Sequence, residues 1–285
     1  MAFILPMPAT TISFFKHDYK VLQVLGVGGN STVYSATDVH TGQQKVIKCI
    51  PKFKIKQASW SLDRFGSPTT VEALIGTLVK HPHIQEIEKV VFDNEYLCLF
   101  SSLNENCTYR DLFDYINRRD RVEMHDCAYI FKQIVSAIMY LFSLNILQRD
   151  IKDENVLIDN DLSIKLIDFG SAQIADMSKP VLNCDFAGTL QYAAPEIHTQ
   201  QWYDGPKSEV WALGCLLKLL ATGTLAFSDL QQLLDIEPVQ LDPALSSSLR
   251  SLLNAMLEKD CRKRCTLTDV PRISNDWFGT CNMAY

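Results

Sequence analysis

Short apolar runs that end at turn residues fill the first hundred positions, a pattern that predicts β-strands. The predicted strands are Tyr19–Leu25, Thr32–Asp38, Gln44–Ile50, Glu88–Asp93 and Tyr96–Phe100. One helix, from about Thr70 to Val79, lies among them and is closed by His81-Pro82. The first part of the chain is therefore predicted to be a small β-rich lobe with a single helix.

The pattern changes to helical spacing further along the chain. Apolar residues of Met124–Ser143 recur three or four positions apart, which is typical of an amphipathic helix. The other predicted elements are the helices Leu112–Arg118, Lys207–Ala221 and Ser246–Leu257 and the strands Asn155–Ile158 and Ile164–Ile167. We therefore expect an α+β protein whose second, larger lobe is helical. The joint falls near Phe100–Leu103, and clefts between lobes are common ligand sites.

Composition narrows the classes of function. The 285 residues carry a formal net charge of −6, and 47% of them are hydrophobic. An acidic globular chain is a poor candidate for non-specific nucleic-acid binding, and no apolar run is long enough to span a bilayer. Nine cysteines without a Cys-x-x-Cys motif favour reduced thiols over disulfides or zinc. We expect an intracellular monomer, cytoplasmic or nuclear, with no nucleic-acid or membrane partner.

A glycine-rich segment separates the first two predicted strands. Its residues are Leu25, Gly26, Val27, Gly28, Gly29, Asn30, Ser31, Thr32 and Val33. Glycines allow backbone N–H groups to approach phosphates, because no Cβ blocks the approach. A Rossmann site would need a helix after this segment, and here a strand follows. The alternative is an ordinary glycine-rich hairpin turn.

The next predicted strand carries a lysine, Lys48, among apolar residues. A lysine buried there needs an anionic partner, and Glu72 of the following helix is the candidate. Such a pair holds the α- and β-phosphates of a nucleotide in phosphoryl-transfer enzymes. The alternative is a surface lysine without a special role.

The sequence from Gln148 to Asn155, followed by Asp168-Phe169-Gly170, carries the strongest chemical signal. Asp150 supplies an acceptor for a hydroxyl proton, and Lys152 supplies a cation near a transferred phosphoryl group. Asn155 and Asp168 supply oxygen ligands for a metal ion. Caps and turns in aspartate-rich loops do not explain all of these spacings together.

With Ala194-Pro195-Glu196 downstream, the sequence resembles the eukaryotic protein kinase family from about His17 to Phe278. With Lys152 two residues after Asp150, and Gly188-Thr189 before Ala-Pro-Glu, the sequence looks like a serine/threonine kinase and not a tyrosine kinase. The finer resemblance, through Asp111–Ile116 and Trp60, is to the Pim and PAS-domain kinases.

The resemblance implies a bilobal kinase fold and a set of boundaries. The implied kinase domain spans residues 17–279, with an N-lobe at 17–100, a hinge at 100–103, a C-lobe at 104–279, and short tails at 1–16 and 280–285. It implies ATP with Mg²⁺ or Mn²⁺ as cofactors, and Ser/Thr hydroxyls of proteins as substrates.

The resemblance also implies roles for residues outside the strongest motifs. Leu99 would be the gatekeeper, and Phe100-Ser101-Ser102 the hinge that bonds adenine through its backbone. Val33, Val46 and Leu157 would sandwich the adenine ring. Arg264 would pair with Glu196 in the large lobe.

The activation segment implied by the resemblance contains an aspartate where many kinases carry a phosphorylated threonine. This residue, Asp185, lies three positions before Gly188-Thr189. Its carboxylate is expected to accept hydrogen bonds from Arg149, which would order the segment without phosphorylation. The alternative is an exposed aspartate in a mobile loop.

Four carboxylates are expected to line the peptide groove: Asp111, Asp114, Asp153 and Glu154. They would favour arginines N-terminal to the target hydroxyl. The alternative is ordinary helix and loop charge. The large-lobe helix lacks the acid that basophilic relatives carry near Lys218-Leu219, which weakens this expectation.

Four positions depart from the family pattern: Gln148, Gly76, Val46 and Glu209. Gly76 is expected to leave a gap where a large apolar side chain normally supports Phe169. A pseudokinase-like scaffold, or a weak and partner-assisted kinase, is therefore the alternative to an active enzyme. A kinase of small molecules is disfavoured, because Gly188 to Tyr192 resembles a peptide-docking platform.

Overall fold

The structure is a computed structural model that describes residues 17–102, 109–119, 121–199, 202–235 and 237–281. Residue 103 of the expected hinge, the expected tail 1–16 and residues 282–285 lie outside the described residues. The chain divides into two compact units, an N-terminal one of residues 1–80 and 85–108 and a C-terminal one of residues 81–84 and 109–285. The first is built on a β-sheet and the second mainly on helices, which confirms the α+β class.

The N-terminal unit contains a mostly antiparallel framework with one α-helix. Its elements are β1 (Tyr19–Val27), β2 (Thr32–Asp38), β3 (Gln44–Pro51), β4 (Trp60–Leu62), β5 (Pro68–Thr70), α1 (Val71–Leu78), β6 (Lys89–Phe92) and β7 (Tyr96–Ser102). The large sheet has the strand order β1-β2-β3-β7-β6, and β4 and β5 form a separate two-stranded ribbon. The ribbon is the element that the sequence patterns missed.

The large sheet buries side chains on both of its faces. Alternate strand residues point to opposite faces, and two clusters result. Ile50, Ala73, Ile87, Leu97 and Leu99 form the cluster that includes helix α1. The opposite cluster contains Tyr19, Tyr34, Ala36, Ile47, Cys49, Tyr96, Cys98 and Phe100. Lys48 alternates with the second cluster and therefore projects from the face that α1 covers.

Gly76 of helix α1 does not leave the gap that the sequence suggests. A Cβ at this position would lie 2.2 Å from Cδ1 of Ile87, so the isoleucine already fills the space. The Ile87 N–H also donates to the Gly76 carbonyl over 2.8 Å. The expectation of a cavity beside Gly76 is therefore wrong, because a residue distant from the helix in sequence packs directly on the glycine.

The C-terminal unit is built mainly from helices, with short strand pairs at its loops. Its elements are β8 (Arg110–Asp111), α2 (Leu112–Asn117), α3 (Met124–Ser143), β9 (Ile146–Leu147), β10 (Val156–Ile158), β11 (Ile164–Leu166), β12 (Gln173–Ile174), β13 (Leu182–Asn183), α4 (Pro195–Thr199), β14 (Tyr203–Asp204), α5 (Gly205–Thr222), α6 (Leu230–Leu234), α7 (Ser247–Met256) and α8 (Val270–Thr280). Among these, the helices α4, α6 and α8 and the two-residue strands β8, β9, β12, β13 and β14 were not predicted. No helix within the described ranges is long and apolar enough to cross a membrane.

Helix α5 is the buried axis of this unit, since nearly all of its residues from Glu209 onward are buried. Its start is set by Asp204, whose side chain accepts from the Lys207 N–H, with Pro206 in the first turn. Its end is set by Gly223, which adopts a left-handed conformation at φ 70°. A helix that is apolar around most of its circumference must be surrounded by protein.

A buried ion pair joins helix α4 to the loop before α8. The Arg264 guanidinium donates to both carboxylate oxygens of Glu196, over 2.7 and 2.8 Å. The two side chains are 0% and 2% exposed. A bidentate geometry of this kind compensates the cost of removing both charges from water.

The packing at Gly76 predicts opposite effects for two glycine-to-alanine substitutions in helices. We expect Gly76→Ala to destabilise the protein by about 1–3 kcal/mol, because the new methyl group collides with Ile87. The matched control is Gly279→Ala in helix α8, where nothing lies within 4 Å. That change should stabilise by ~0.5–1 kcal/mol through helix propensity. Urea unfolding measures both, and a stabilising Gly76→Ala would contradict the packing described.

Candidate active-site residues

The glycine-rich segment forms the tip of the β1–β2 hairpin. Val27 pairs with Thr32, and the Gly28 N–H donates to the Ser31 carbonyl over 2.9 Å. Gly26, Gly28 and Gly29 all avoid positive φ, and a Cβ on any of them would meet nothing closer than 3.7 Å. The protein itself therefore does not require glycine there. What the glycines provide is open backbone that a phosphate can approach.

Lys48 and Glu72 form the ion pair that their motifs predict. The Lys48 Nζ lies 2.6 Å from Oε1 of Glu72, and the two side chains are 19% and 9% exposed. Glu72 stands in the first turn of α1, whose N-cap is Thr70. Helix formation at that cap thus fixes the carboxylate, and the carboxylate fixes the ammonium group.

The other nucleotide-binding candidates of the N-terminal unit share the sheet face of Lys48. Val33 on β2 and Leu99 on β7 are its cross-strand partners, and Val46 precedes it by two residues on β3. Leu99 is buried, whereas Val33 and Val46 are half-buried. The carbonyl of Phe100, in the expected hinge, accepts from the Glu88 N–H over 2.8 Å. That carbonyl therefore belongs to the sheet.

In the C-terminal unit, the Asp150 carboxylate is held by hydrogen bonds to both of its oxygens. Oδ1 accepts the Thr189 hydroxyl over 2.8 Å, and Oδ2 accepts the Asn155 amide over 3.0 Å. The Lys152 ammonium donates to the Thr189 oxygen over 2.9 Å and lies 3.5 Å from Asp150 Oδ2. The predicted base and the predicted cation are therefore neighbours.

Electrostatics keep Lys152 charged. Burial alone would lower its pKa, but the carboxylates of Glu154, at 2.9 Å, and Asp150 outweigh that effect. The net pKa is raised above the usual lysine value. An ammonium group that stays protonated near Asp150 can stabilise negative charge on a phosphoryl group.

Asn155 and Asp168 offer the oxygen atoms that a divalent cation needs. The Asn155 amide nitrogen donates to the Asp150 backbone carbonyl and carboxylate, so its Oδ1 is turned away from that carboxylate. Asp168 Oδ1 accepts from the Gly170 N–H over 3.0 Å. In the part of the chain described, no group of three or more His, Cys, Asp or Glu side chains could hold a metal. This donor set fits Mg²⁺ that takes its remaining ligands from water and phosphates.

The Gln148 side chain links the backbones of Asp150 and Asp168. Its side chain is fully buried. Oε1 accepts the Asp150 N–H over 2.7 Å, and Nε2 donates to the Asp168 carbonyl over 3.0 Å. The sequence marked Gln148 only as a departure from the family pattern. The turn geometry that lets one side chain reach both backbones has no signal in the sequence.

Glu209, on helix α5, holds the loop of residues 148–155 in place. Its Oε1 accepts the Arg149 N–H over 2.7 Å, and the residue is 2% exposed. Burial raises the pKa of Glu209 to about 7, against the opposing effect of backbone N–H donors from Arg149 and Gln148. Glu209 departs from the family pattern, but its carboxylate still supplies the oxygen that accepts the Arg149 N–H.

Arg149 contacts the Asp185 carboxylate, as the sequence suggests, but its shorter hydrogen bond goes to the Asp185 backbone. The Arg149 guanidinium donates mainly to the Asp185 backbone carbonyl, over 2.6 Å, and its distance to the Asp185 carboxylate is 3.4 Å. That carboxylate is 70% exposed. The Tyr203 hydroxyl donates to the same carbonyl over 3.0 Å, and β13 pairs with β14 beside it. Any residue at position 185 offers this carbonyl, so the contact does not depend on the aspartate.

The four expected groove carboxylates have different surroundings. Asp153 is 5% exposed and accepts the Tyr192 hydroxyl over 2.9 Å, so its expected place in an open groove is wrong. Asp111 caps helix α2 through the Asp114 N–H, and Asp114 itself pairs with Arg118 at 2.7 Å. Glu154 is exposed but pairs with Lys152. Leu157, the remaining adenine candidate, is half-buried in β10.

These elements define a class, and comparison with known proteins names it. The protein kinase domain family matches residues 19–278. The chain therefore belongs to the protein kinase domain family. Its similar proteins include the mouse PAS domain-containing serine/threonine-protein kinase, 33% identical over 259 residues, which are 90% of this chain and 18% of that protein. The human NUAK family SNF1-like kinase 1 is 32% identical over 92% of this chain and 38% of its own length.

A plant relative widens the group. CBL-interacting protein kinase 25 from Oryza sativa subsp. japonica is 29% identical over 91% of this chain and 51% of its own length. The chain thus spans between about a fifth and a half of these relatives. The family and the relatives' names together support the enzyme class that the motifs predict, a protein serine/threonine kinase.

Burial of Glu209 predicts a specific pH dependence of stability. Its pKa rises from 4.5 to about 7 on folding, so the folded protein keeps a proton that the unfolded chain releases between these values. The contribution of Glu209 is therefore full below pH 4.5 and is lost as pH rises through about 7. We expect the free energy of unfolding of Glu209→Gln, relative to the native protein, to rise by about 3 kcal/mol across that window. Parallel profiles in urea unfolding from pH 4 to 8 would contradict the assignment.

Proposed function

We propose that this chain is an active serine/threonine protein kinase that transfers the γ-phosphate of ATP to protein hydroxyls. The observation that carries the proposal is the hydrogen-bonded group of Asp150, Asn155, Lys152 and Thr189 beside Asp168. Each residue has a defined part in phosphoryl transfer, and the distances allow these parts to be performed together.

In the proposed reaction the substrate hydroxyl attacks the γ-phosphorus, its proton passes to the Asp150 carboxylate, and ADP leaves. Lys152 offsets the charge that develops on the transferred group. Asn155 and Asp168 would hold the cation, which when bound neutralises charge on the phosphates. Lys48, fixed by Glu72, would bind the α- and β-phosphates beyond the glycine-rich hairpin.

The alternative, a scaffold without catalysis, rested mainly on the departures at Gly76 and Gln148. It loses support because the fold accommodates both residues. The space at Gly76 is filled by Ile87, and Gln148 makes two hydrogen bonds in place of apolar contacts. The groups that chemistry requires all have partners that orient them.

The proposal extends to regulation: the kinase works without phosphorylation of its activation segment. The contacts of Arg149 and Tyr203 with the Asp185 carbonyl, and the pairing of β13 with β14, support this. None of these contacts requires a phosphate.

Two finer points belong to the same proposal. The chain falls in the Pim and PAS-domain kinase branch, supported by its likeness to the mouse PAS domain-containing kinase. It favours basic sites, a preference that rests on Asp111, Asp114 and Glu154, since Asp153 is buried.

The bounds of the kinase domain belong to the proposal as well. The domain spans residues 17–279, with a hinge at 100–103 and short tails on either side.

The decisive assay is transfer of labelled γ-phosphate from ATP and Mg²⁺ to a basic protein, with phosphatase-treated enzyme. We expect transfer that falls by about 100-fold or more in Lys48→Met and in Asp168→Asn, because each loses a charge that stabilises the phosphoryl group. Transfer no greater than in these variants would refute catalysis. Matched peptides with arginine or glutamate before the serine report the substrate preference.

The same assay tests the activation segment. Asp185→Asn keeps the carbonyl contact and should retain the rate within about fivefold, since an exposed ion pair contributes at most ~1 kcal/mol. Asp185→Arg places a second cation beside Arg149 and should lower the rate further. A loss of much more than fivefold in Asp185→Asn would sink the proposed anchoring through the carbonyl.

A further inference from the structure

Two thiols face each other across the large sheet of the N-terminal unit. Cys49 on β3 is the direct cross-strand partner of Cys98 on β7, and their sulfur atoms are 3.2 Å apart. Both are free cysteines, 3% and 0% exposed. Neither has a part in the phosphoryl-transfer chemistry described above.

The register places this pair at the kind of site where side chains are closest. The Lys52 N–H donates to the Glu95 carbonyl over 2.8 Å, which makes these two residues a hydrogen-bonded pair. Such pairs alternate with non-hydrogen-bonded ones along an antiparallel ladder. Cys49 and Cys98 lie three pairs further on and therefore form a non-hydrogen-bonded pair.

A second observation agrees with this assignment. Pro51 has no N–H to exchange, and it occupies the neighbouring non-hydrogen-bonded position opposite Tyr96. In pairs of this kind the Cα atoms are about 4.5 Å apart. That spacing is within the range that a disulfide can bridge without moving the backbone.

The surroundings of the two thiols slow their reaction with an oxidant but do not prevent it. They lie in an apolar cluster with Tyr34, Ile47 and Phe100, and the neighbouring Cys98 together with burial raises the pKa of Cys49. The Cys49 thiolate is therefore scarce, and reaction requires a small oxidant and local opening of the sheet. Because Cys49 is 3% exposed and Cys98 is fully buried, we assign the first reaction to Cys49.

We propose that Cys49 and Cys98 are a reversible oxidation site that closes to a cross-strand disulfide in the presence of hydrogen peroxide. The Cys49 sulfur attacks one peroxide oxygen, the O–O bond breaks, and a sulfenic acid and one water form. The Cys98 sulfur then attacks the sulfenic sulfur, the S–O bond breaks, and the hydroxyl leaves as a second water with the thiol proton. Two thiols are oxidised by two electrons, and the peroxide is reduced to two waters.

The disulfide staples β3 to β7 without disturbing the nucleotide-binding candidates. It joins residues 49 and 98 and so closes a long loop of the unfolded chain, which raises stability in the loop-entropy view. Lys48 and Leu99 neighbour the two cysteines in sequence but point to the opposite sheet face. The expected consequence is a more stable N-terminal unit with unchanged contacts around Lys48.

The test treats the full chain with hydrogen peroxide and blocks remaining thiols with iodoacetamide in denaturant. Digestion without reductant and mass spectrometry then identify linked peptides. We expect a Cys49–Cys98 linked peptide that dithiothreitol removes and that is absent from Cys49→Ala and Cys98→Ala. The matched control is Cys215→Ala, another 3%-exposed cysteine on helix α5, which should leave the linked peptide unchanged.

Recovery of Cys49 and Cys98 as alkylated thiols, while the exposed Cys184 is oxidised, would overturn the proposal. Thermal unfolding supplies a second readout that does not depend on the alanine variants. The oxidised native chain should melt about 5 °C or more above the same sample after dithiothreitol. A cross-linked chain with an unchanged melting temperature would overturn the stapling role.

Discussion

The arrangement of the loop of residues 148–155 depends on a strained backbone that two buried side chains hold in place. Arg149 and Asp168 both adopt left-handed conformations, at φ 66° and 61°, which cost energy in residues other than glycine. Gln148 bonds the Asp150 N–H and the Asp168 carbonyl, and Glu209 bonds the Arg149 N–H. Without these buried acceptors and donors, three polar backbone groups would lack partners and the strain would relax.

The consequences of that constraint reach the proposed base and the side chains bonded to it in the C-terminal unit. The turn at Arg149 sets where Asp150 projects, and Asn155, Thr189 and Lys152 then bond that carboxylate or its neighbours. The turn also sends the Arg149 guanidinium towards the Asp185 carbonyl. A single short loop thus orients the proposed base, one metal ligand and the activation segment.

Sequence patterns predicted the features whose signals are local or spaced along one element. The strands around the glycine-rich hairpin and the Lys48–Glu72 pair follow from residue types at characteristic positions, whereas the Glu196–Arg264 pair was implied only by the family resemblance. Contacts between distant segments carried no such signal. The packing of Ile87 on Gly76 and the burial of Asp153 under Tyr192 follow from tertiary packing alone.

Contacts to backbone groups were the other feature that the sequence did not reveal. A sequence displays side chains, so the Asp185 carboxylate was the visible partner for Arg149, and the shorter bond to the Asp185 carbonyl was not visible. The role of Gln148 was hidden for the same reason, since both of its partners are main-chain atoms. The facing of Cys49 and Cys98 likewise depends on strand register, which composition and spacing do not fix.

The most direct test of this account compares two buried glutamines of the C-terminal unit. Gln133 of helix α3 makes three backbone hydrogen bonds, to the Tyr129 and Leu162 carbonyls and from the Ile164 N–H, but touches none of the proposed catalytic residues. Gln148→Leu removes two such bonds and Gln133→Leu removes three, so the control loses at least as much bonding. We expect Gln148→Leu to lower kcat for phosphate transfer about tenfold or more at equal folded concentration, and Gln133→Leu to leave it unchanged. An unchanged kcat in Gln148→Leu, or equal losses in both variants, would contradict the account.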